Sequence, residues 1–333
     1  MAKKEISTDE NNQQSQDKNG TKWRDASYKQ LFTFPEMVSD LLQLFIPSKL
    51  VGDFDPSSLE EESPNHINRV LSERRQDKIW RVKTKNGNTF YLYLLFEFQS
   101  YSDKQMALRV TEYSVLFLLD LYHKKIVKSG EKHPPVLPIV IYSGTRSWAA
   151  TKSCAKLCQD IPLDLVPYQP NQSYYLVDVV RLVKESASDK ENLAALLFRM
   201  EQCKSIEDLI KEVDIAKIRL RGDHYEEFRI LLSEWIRYTV MGNYKDVICD
   251  NDNLTVDLDL EEVHSVLSET IAKIRDQDRE DGRKDGIKKE RSNIISKLLQ
   301  KGMTPETLSE YLDIPLSEIK LIATSNVKIE DNE

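Results

Sequence analysis

Three side chains in this sequence are spaced so that they could do chemistry together: Asp77, then, after nineteen intervening residues, Glu97 and Gln99. Side chains alternate along an extended strand, so Glu97 and Gln99 would share one face, with Phe96 and Phe98 on the other. A hairpin would lay the Asp77 strand alongside and bring both carboxylates to one end of a sheet. Two acids that close repel each other, and a divalent cation removes the penalty. Magnesium suits such a place, because it takes oxygen ligands and keeps several of its waters. It lowers the pKa of a bound water and neutralises charge on a phosphoryl oxygen, the requirements of phosphodiester hydrolysis. The same spacing also fits a second reading, in which Glu97 pairs with an arginine such as Arg75 or Arg109 and takes no part in chemistry. Spacing leaves both open.

The elements that would position these residues are legible in outline. Asp77–Thr84 and Asn88–Ser100 read as strands, and the Asn86-Gly87-Asn88 step between them is a hairpin signal. The second strand is apolar on both faces until Glu97, as expected for a central strand covered on both sides. A carboxylate there is costly unless it is paired or coordinated. Upstream, Tyr28, Leu31, Phe32, Met37, Leu41, Leu42 and Phe45 predict one helical segment from Thr21 to Pro47, with a polar loop from Ser48 to about Asn68. Downstream, residues 104–128 read as a long helix whose apolar face carries Met106, Val110, Tyr113, Leu116, Phe117 and Leu121. Leu137–Gly144 and Ser173–Val179 read as further strands, and the stretch from Glu191 to about Gly242 as helical. This order predicts an α/β fold with a mixed central sheet flanked by helices. Arg109 and Tyr113 are four apart on the long helix and share a face. Tyr113 fits core packing as well as a site, whereas Arg109, on an otherwise apolar helix, needs a carboxylate or phosphate partner.

With 333 residues, 40% apolar and 31% charged, the chain can hold two units, or one large unit with an appendage. It has no apolar run of about 18 residues, so no membrane-spanning helix is expected. Residues 1–22 read as a disordered polar tail without the apolar core of an export signal, which points to a cytoplasmic protein. Cys154, Cys158, Cys203 and Cys249 are accordingly expected as reduced thiols, and nothing near Cys154 and Cys158 completes a zinc site. The net charge of −8 is unhelpful for nucleic-acid binding, but only the field at the contact surface matters, and Asn68–Thr89 carries seven basic residues against two acidic. On composition, Asp250–Glu262 and Asp276–Gly286 read as linkers. Beyond them Ile287, Ile294, Ile295, Leu298 and Leu299 form a stripe. Thr304 and Pro305 then mark a helix start, and a short third helix runs from Ile314.

Five strings in order, DASYKQLFTFPEMVSDLL, RRQDKIWRV, YLYLLFEFQS, MALRVTEY and LPIVIYSG, resemble the recombination-promoting nuclease family. That family is also described as transposase-like (YhgA-like) and belongs to the PD-(D/E)xK nuclease superfamily. The resemblance covers Asp25 to Trp148 well and continues more loosely to about Tyr238. It implies a restriction-endonuclease-like domain over residues 23–245, a linker and helical region over 246–284, and a small helical C-terminal module over 285–325. The implied activity is that of a metal-dependent DNA endonuclease. Asp77, Glu97 and the backbone carbonyl of Phe98 would hold Mg2+ (or Mn2+), and Gln99 stands where the superfamily's lysine usually orients the attacking water. The family commonly has glutamine there, although glutamine supplies no positive charge. Asp25 matches an accessory acidic position, and Lys29, Arg75 and Lys78 are candidates for phosphate contact. DNA is the implied partner, and a homo-oligomer is compatible with the sequence. Two rival readings are a non-catalytic DNA-binding accessory protein that keeps the fold, and an interaction module of a defence system that assembles through the C-terminal helices.

Overall fold

The computed structural model describes residues 26–62, 78–97, 102–144, 146–160, 162–185, 191–240 and 259–330. The expected tail lies outside them. Contacts divide the chain into a first unit, residues 1–267, and a second, residues 268–333.

The first unit is built on a five-stranded mixed sheet in the order β1 (Glu60–Glu62), β2 (Lys78–Lys83), β3 (Thr89–Glu97), β4 (Val136–Tyr142), β5 (Tyr175–Asp178). β1, β2 and β3 are antiparallel neighbours, and β3, β4 and β5 are parallel. The predicted hairpin joins β2 to β3. Gly87 N donates to the Thr84 carbonyl at 2.8 Å, and Gly87 takes φ +82°, which glycine adopts without the clash a Cβ would bring.

Helices cover both faces of the sheet. On one face Ile79, Tyr91, Tyr93 and Leu95 pack against Val110, Tyr113, Phe117 and Leu121 of helix α2 (Met106–His123), the long helix expected from the sequence. On the other, Phe96 meets the rings of Tyr28 and Phe32, Tyr28 meets Trp235, and Trp80 Nε1 donates to the Phe32 carbonyl at 3.2 Å. Each of these large side chains, buried to near completion, contributes about 1.5–3 kcal/mol of hydrophobic stabilisation. The alternation puts Glu97 in phase with Tyr93 and Leu95, so it faces α2. Three more helices follow where the pattern placed them: α3 (Leu193–Glu201), α4 (Ile206–Arg219) and α5 (Glu226–Trp235). Cys154, Cys158 and Cys203 are free thiols. Among the described residues no helix is long and apolar enough to cross a membrane.

Three expectations need correction. The first helical segment is broken: residues 26–31 form one helix, and α1 starts afresh at Pro35 and runs to Phe45. Phe34 before the proline is extended (φ −87°, ψ 125°), because the proline ring disfavours helical backbone in the residue ahead of it. Second, the polar loop after Pro47 contains β1, which no apolar alternation announces. Its three glutamates are held on β2 by charge, Glu60 and Glu62 on Arg81 and Glu61 on Lys78.

Third, Asp276–Gly286 is helical rather than an irregular segment. Helix α6 runs unbroken from Leu260 to Gln300. Its polar middle is supported by pairs one turn apart, Gln277 with Asp281 and Glu280 with Arg283 and Lys284. In the second unit, the end of α6 packs with α7 (Pro305–Leu312) and α8 (Leu316–Glu330) around Ile295, Leu308, Ile314 and Ile319. Leu298 and Leu299 of the predicted stripe join that core, whereas Ile287 and Ile294 are about half exposed. Thr304 caps α7, accepting from Thr307 N, with Pro305 at the first helical position as expected.

Candidate active site

At the carboxyl ends of the three parallel strands, one row of register-paired residues crosses the sheet: Glu97, Tyr142 and Asp178. Open α/β sheets take ligands outside the carboxyl ends of their strands, so this row marks the place to look for chemistry. Glu97 is only 7% exposed. A carboxylate so far out of water needs a cation or donors close by. Arg109 supplies the cation: its guanidinium lies 3.7 Å from Glu97 Oε2 and donates to Asp103 Oδ2 at 2.6 Å.

The arginine is itself held in place. Its Nε lies 3.3 Å from the Tyr113 hydroxyl, and the Tyr113 ring stacks on Tyr93 with centroids 5.9 Å apart. Asp103 is fixed by its other oxygen, which accepts from Gln105 N at 2.8 Å as the chain turns into α2. Glu97, Ser102, Asp103, Lys104, Arg109 and Arg146 face an open cleft. Ser102 Oγ accepts from Ala149 N at 3.1 Å, which fastens the cleft's two walls together. Within the row, Tyr142 donates its hydroxyl to the Arg146 carbonyl at 2.6 Å, and burial pushes its phenol up.

Of the residues singled out from the sequence, the structure brings Glu97, Arg109 and Tyr113 together. Arg109 meets the carboxylate partner that its apolar helix required. Lys78 is engaged with Glu61 at 2.8 Å, and Lys29 is half-buried and does not line the cleft. Asp25, Arg75, Asp77, Phe98 and Gln99 lie outside the described residues. The described pairing of β2 with β3 ends at Lys78 opposite Leu94. Sequence reasoning missed Asp103, Lys104 and Arg146. Asp103 sits between Glu97 and the first turn of α2, where a short polar residue at a strand-to-helix junction was the available signal. Arg146 follows β4 closely, and the same carboxyl-end rule would have picked it out.

Among its described residues the cleft offers two carboxylates and two serine hydroxyls and no cysteine or histidine, an oxygen set suited to a hard cation such as magnesium rather than to zinc. Among the described residues no group of three or more His, Cys, Asp or Glu side chains is placed to hold a metal. Magnesium commonly takes one or two protein carboxylates and completes its shell with water and phosphate, so Glu97 and one further acid fit that manner of binding.

A protein-family model described as "putative transposase, YhgA-like" matches residues 22–228. The chain is 30% identical over 125 residues to recombination-promoting nuclease RpnD of Escherichia coli O157:H7, covering 37% of this chain and 46% of the relative. It is 32% identical over 120 residues to recombination-promoting nuclease RpnC of Escherichia coli strain K12, covering 36% and 38%. A longer match, 26% identical over 200 residues, is to the inactive recombination-promoting nuclease-like protein RpnE of the same strain, covering 60% and 64%. The chain thus spans less than half the length of the first two relatives. No solved structure matches.

Proposed function

Since the chain belongs to the YhgA-like putative transposase family, we propose that it is a metal-dependent DNA endonuclease built on the restriction-endonuclease-like PD-(D/E)xK fold. The observation that carries this reading is Glu97: a buried carboxylate at the carboxyl end of the central strand, facing a cleft whose described charged and polar lining is carboxylates, serine hydroxyls and cations. The names of the relatives, recombination-promoting nucleases, support the activity class.

In this reading Asp77, Glu97 and the Phe98 carbonyl would hold magnesium, or manganese, and Gln99 would hold the attacking water. The bound ion supplies a water acidified towards neutrality and charge neutralisation at the phosphoryl oxygen. The chain's own residues do the rest. Asp103 and Tyr113 fix Arg109, and Arg109 holds Glu97 in the orientation in which its carboxylate meets the cleft. Lys104 and Arg146, on the cleft's walls, attract the anionic strand and face its phosphate. Burial of Glu97 keeps bulk water from competing for its oxygens.

A second reading, a DNA-binding accessory protein that no longer cleaves, is favoured by one finding: a match over 60% of this chain is to a relative named as inactive. Nicking of supercoiled plasmid, with and without magnesium, separates the two. The nuclease reading expects metal-dependent nicking by the wild type that Asp77→Ala and Glu97→Ala each reduce by at least about a hundredfold. A folded wild type that binds DNA and does not nick it establishes the accessory reading instead.

A further inference from the structure

The Glu97 cleft does not end at β3. Arg146 and Ser147 line it and also line a second hollow, which passes over the ends of β4 and β5 and is bounded by Lys152, Asp178 and Arg181. Among the described residues three cations thus line this hollow with one carboxylate, in a chain whose net charge is −8. The carboxylate is already engaged, since Asp178 Oδ1 accepts from Arg181 N at 3.3 Å. Arg146 and Lys152 are exposed and have no carboxylate partner among the described residues, whereas Arg199, Lys211 and Lys217 each sit within 4 Å of one. Arg146 and Lys152, exposed along a walled groove with no carboxylate partner among the described residues, give it a local field suited to a polyanion.

Geometry sets which part of a polyanion. Neighbouring strands lie about 4.8 Å apart, so β5 is about 10 Å from Glu97 across the sheet. A nucleic-acid strand rises about 3.4 Å per nucleotide along its axis, so a strand cut at Glu97 and laid along this direction would reach β5 about three nucleotides away. Trp148 and Tyr175, half-buried in the same wall, give the strand's sugars and bases an apolar flank.

We propose that the groove of Arg146, Lys152 and Arg181 binds the phosphodiester backbone of the DNA strand flanking the cleaved bond, setting its direction across the site without reading its bases. The proposal rests on the nuclease reading for the place of the cut, but it concerns binding and is tested without cleavage. The measurement is fluorescence anisotropy of a labelled duplex of random sequence with the full-length protein in EDTA, over a series of salt concentrations. Wild type is compared with Arg146→Gln, Lys152→Gln, Arg181→Gln and the triple variant, with circular dichroism as the check on folding. Lys132→Gln serves as control, since it removes the same charge from the loop entering β4, at the opposite end of that strand. Each groove variant is expected to weaken binding by roughly three- to tenfold and to lower the slope of log K against log salt by about 0.9 for every phosphate it no longer neutralises. The control is expected to match the wild type. Groove variants that fold and keep wild-type affinity and salt slope overturn the proposal, whether or not the wild type nicks plasmid. If the wild type binds DNA through the groove yet never nicks it, the proposal stands and the nuclease reading falls. If the wild type binds no DNA, the groove proposal falls, and nicking with magnesium decides the nuclease reading by itself. Should one substitution unfold the protein, the remaining single variants decide.

Discussion

Replacing Arg109 with alanine tests the electrostatic argument of the site directly. The substitution removes the guanidinium from Asp103 (2.6 Å), Glu97 (3.7 Å) and the Tyr113 hydroxyl (3.3 Å) together. Removing one partner of a fully buried pair costs about 3–5 kcal/mol, and a hydrogen bond to a charged group about 1.5–3 kcal/mol. The Glu97 side chain is 9% exposed but that of Arg109 is 33% exposed, so water partly replaces the missing cation. The expected cost at neutral pH is therefore about 2 kcal/mol. Urea unfolding at pH 7 reads the cost. A double-mutant cycle with Glu97→Gln isolates the Glu97 share, expected at about 1 kcal/mol of coupling. A variant within about 0.5 kcal/mol of wild type at pH 7, or a cycle with no coupling, would show that Arg109 does not sustain the buried carboxylate.

Two further predictions concern other parts of the chain. Burial pushes the Tyr174 phenol up to about 12 from 10.0, while its oxygen accepts from Trp148 Nε1 at 2.9 Å and its hydroxyl donates to the Thr151 carbonyl at 3.1 Å. The neutral form is the one that folding favours, so its contribution is full below pH 10 and is lost as pH rises towards 12. Tyr174→Phe is expected to cost about 1 kcal/mol at neutral pH and to flatten that alkaline decline, which unfolding at pH 8 and pH 11 would show; an unchanged decline would refute it. In the second unit Asp313 closes α7 with φ +52°, a left-handed conformation that glycine adopts more readily. Asp313→Gly is expected to stabilise that unit by about 0.5–1 kcal/mol, seen as slower hydrogen exchange of α7 amides, and faster exchange would contradict it.

Much of the fold was legible because its strongest determinants are local. The apolar run through β3, the Asn86-Gly87-Asn88 turn and the periodicity of α2 each act within a few residues, and each is found where the pattern places it. What escaped is held by partners distant in sequence. β1 exists because Arg81 and Lys78 meet its glutamates across a gap of some twenty residues, and no alternation of apolar side chains marks it. The helical conformation of the middle of α6 escaped because composition registers only polarity, whereas a helix is also sustained by where opposite charges fall along it. The site was half legible. Glu97 drew attention as a lone charge in an apolar strand, and Arg109 as a lone cation on an apolar helix. Asp103, which ties the two together, looks like any acid in a loop until the chain turns it back on Arg109.

Strand β1 has a consequence beyond its ion pairs. Among the described strands it forms one edge of the sheet, and an edge offers unspent backbone donors and acceptors to any extended chain that passes. Two features deter such a visitor. The strand is only three residues long, too short to template a stable addition. It also consists entirely of glutamate, so a second copy approaching the same edge meets its own charge. β1 therefore guards the sheet against self-association at this border, and loosening it from β2 with Arg81→Ala would uncover the edge of β2 and be felt first as a tendency to aggregate.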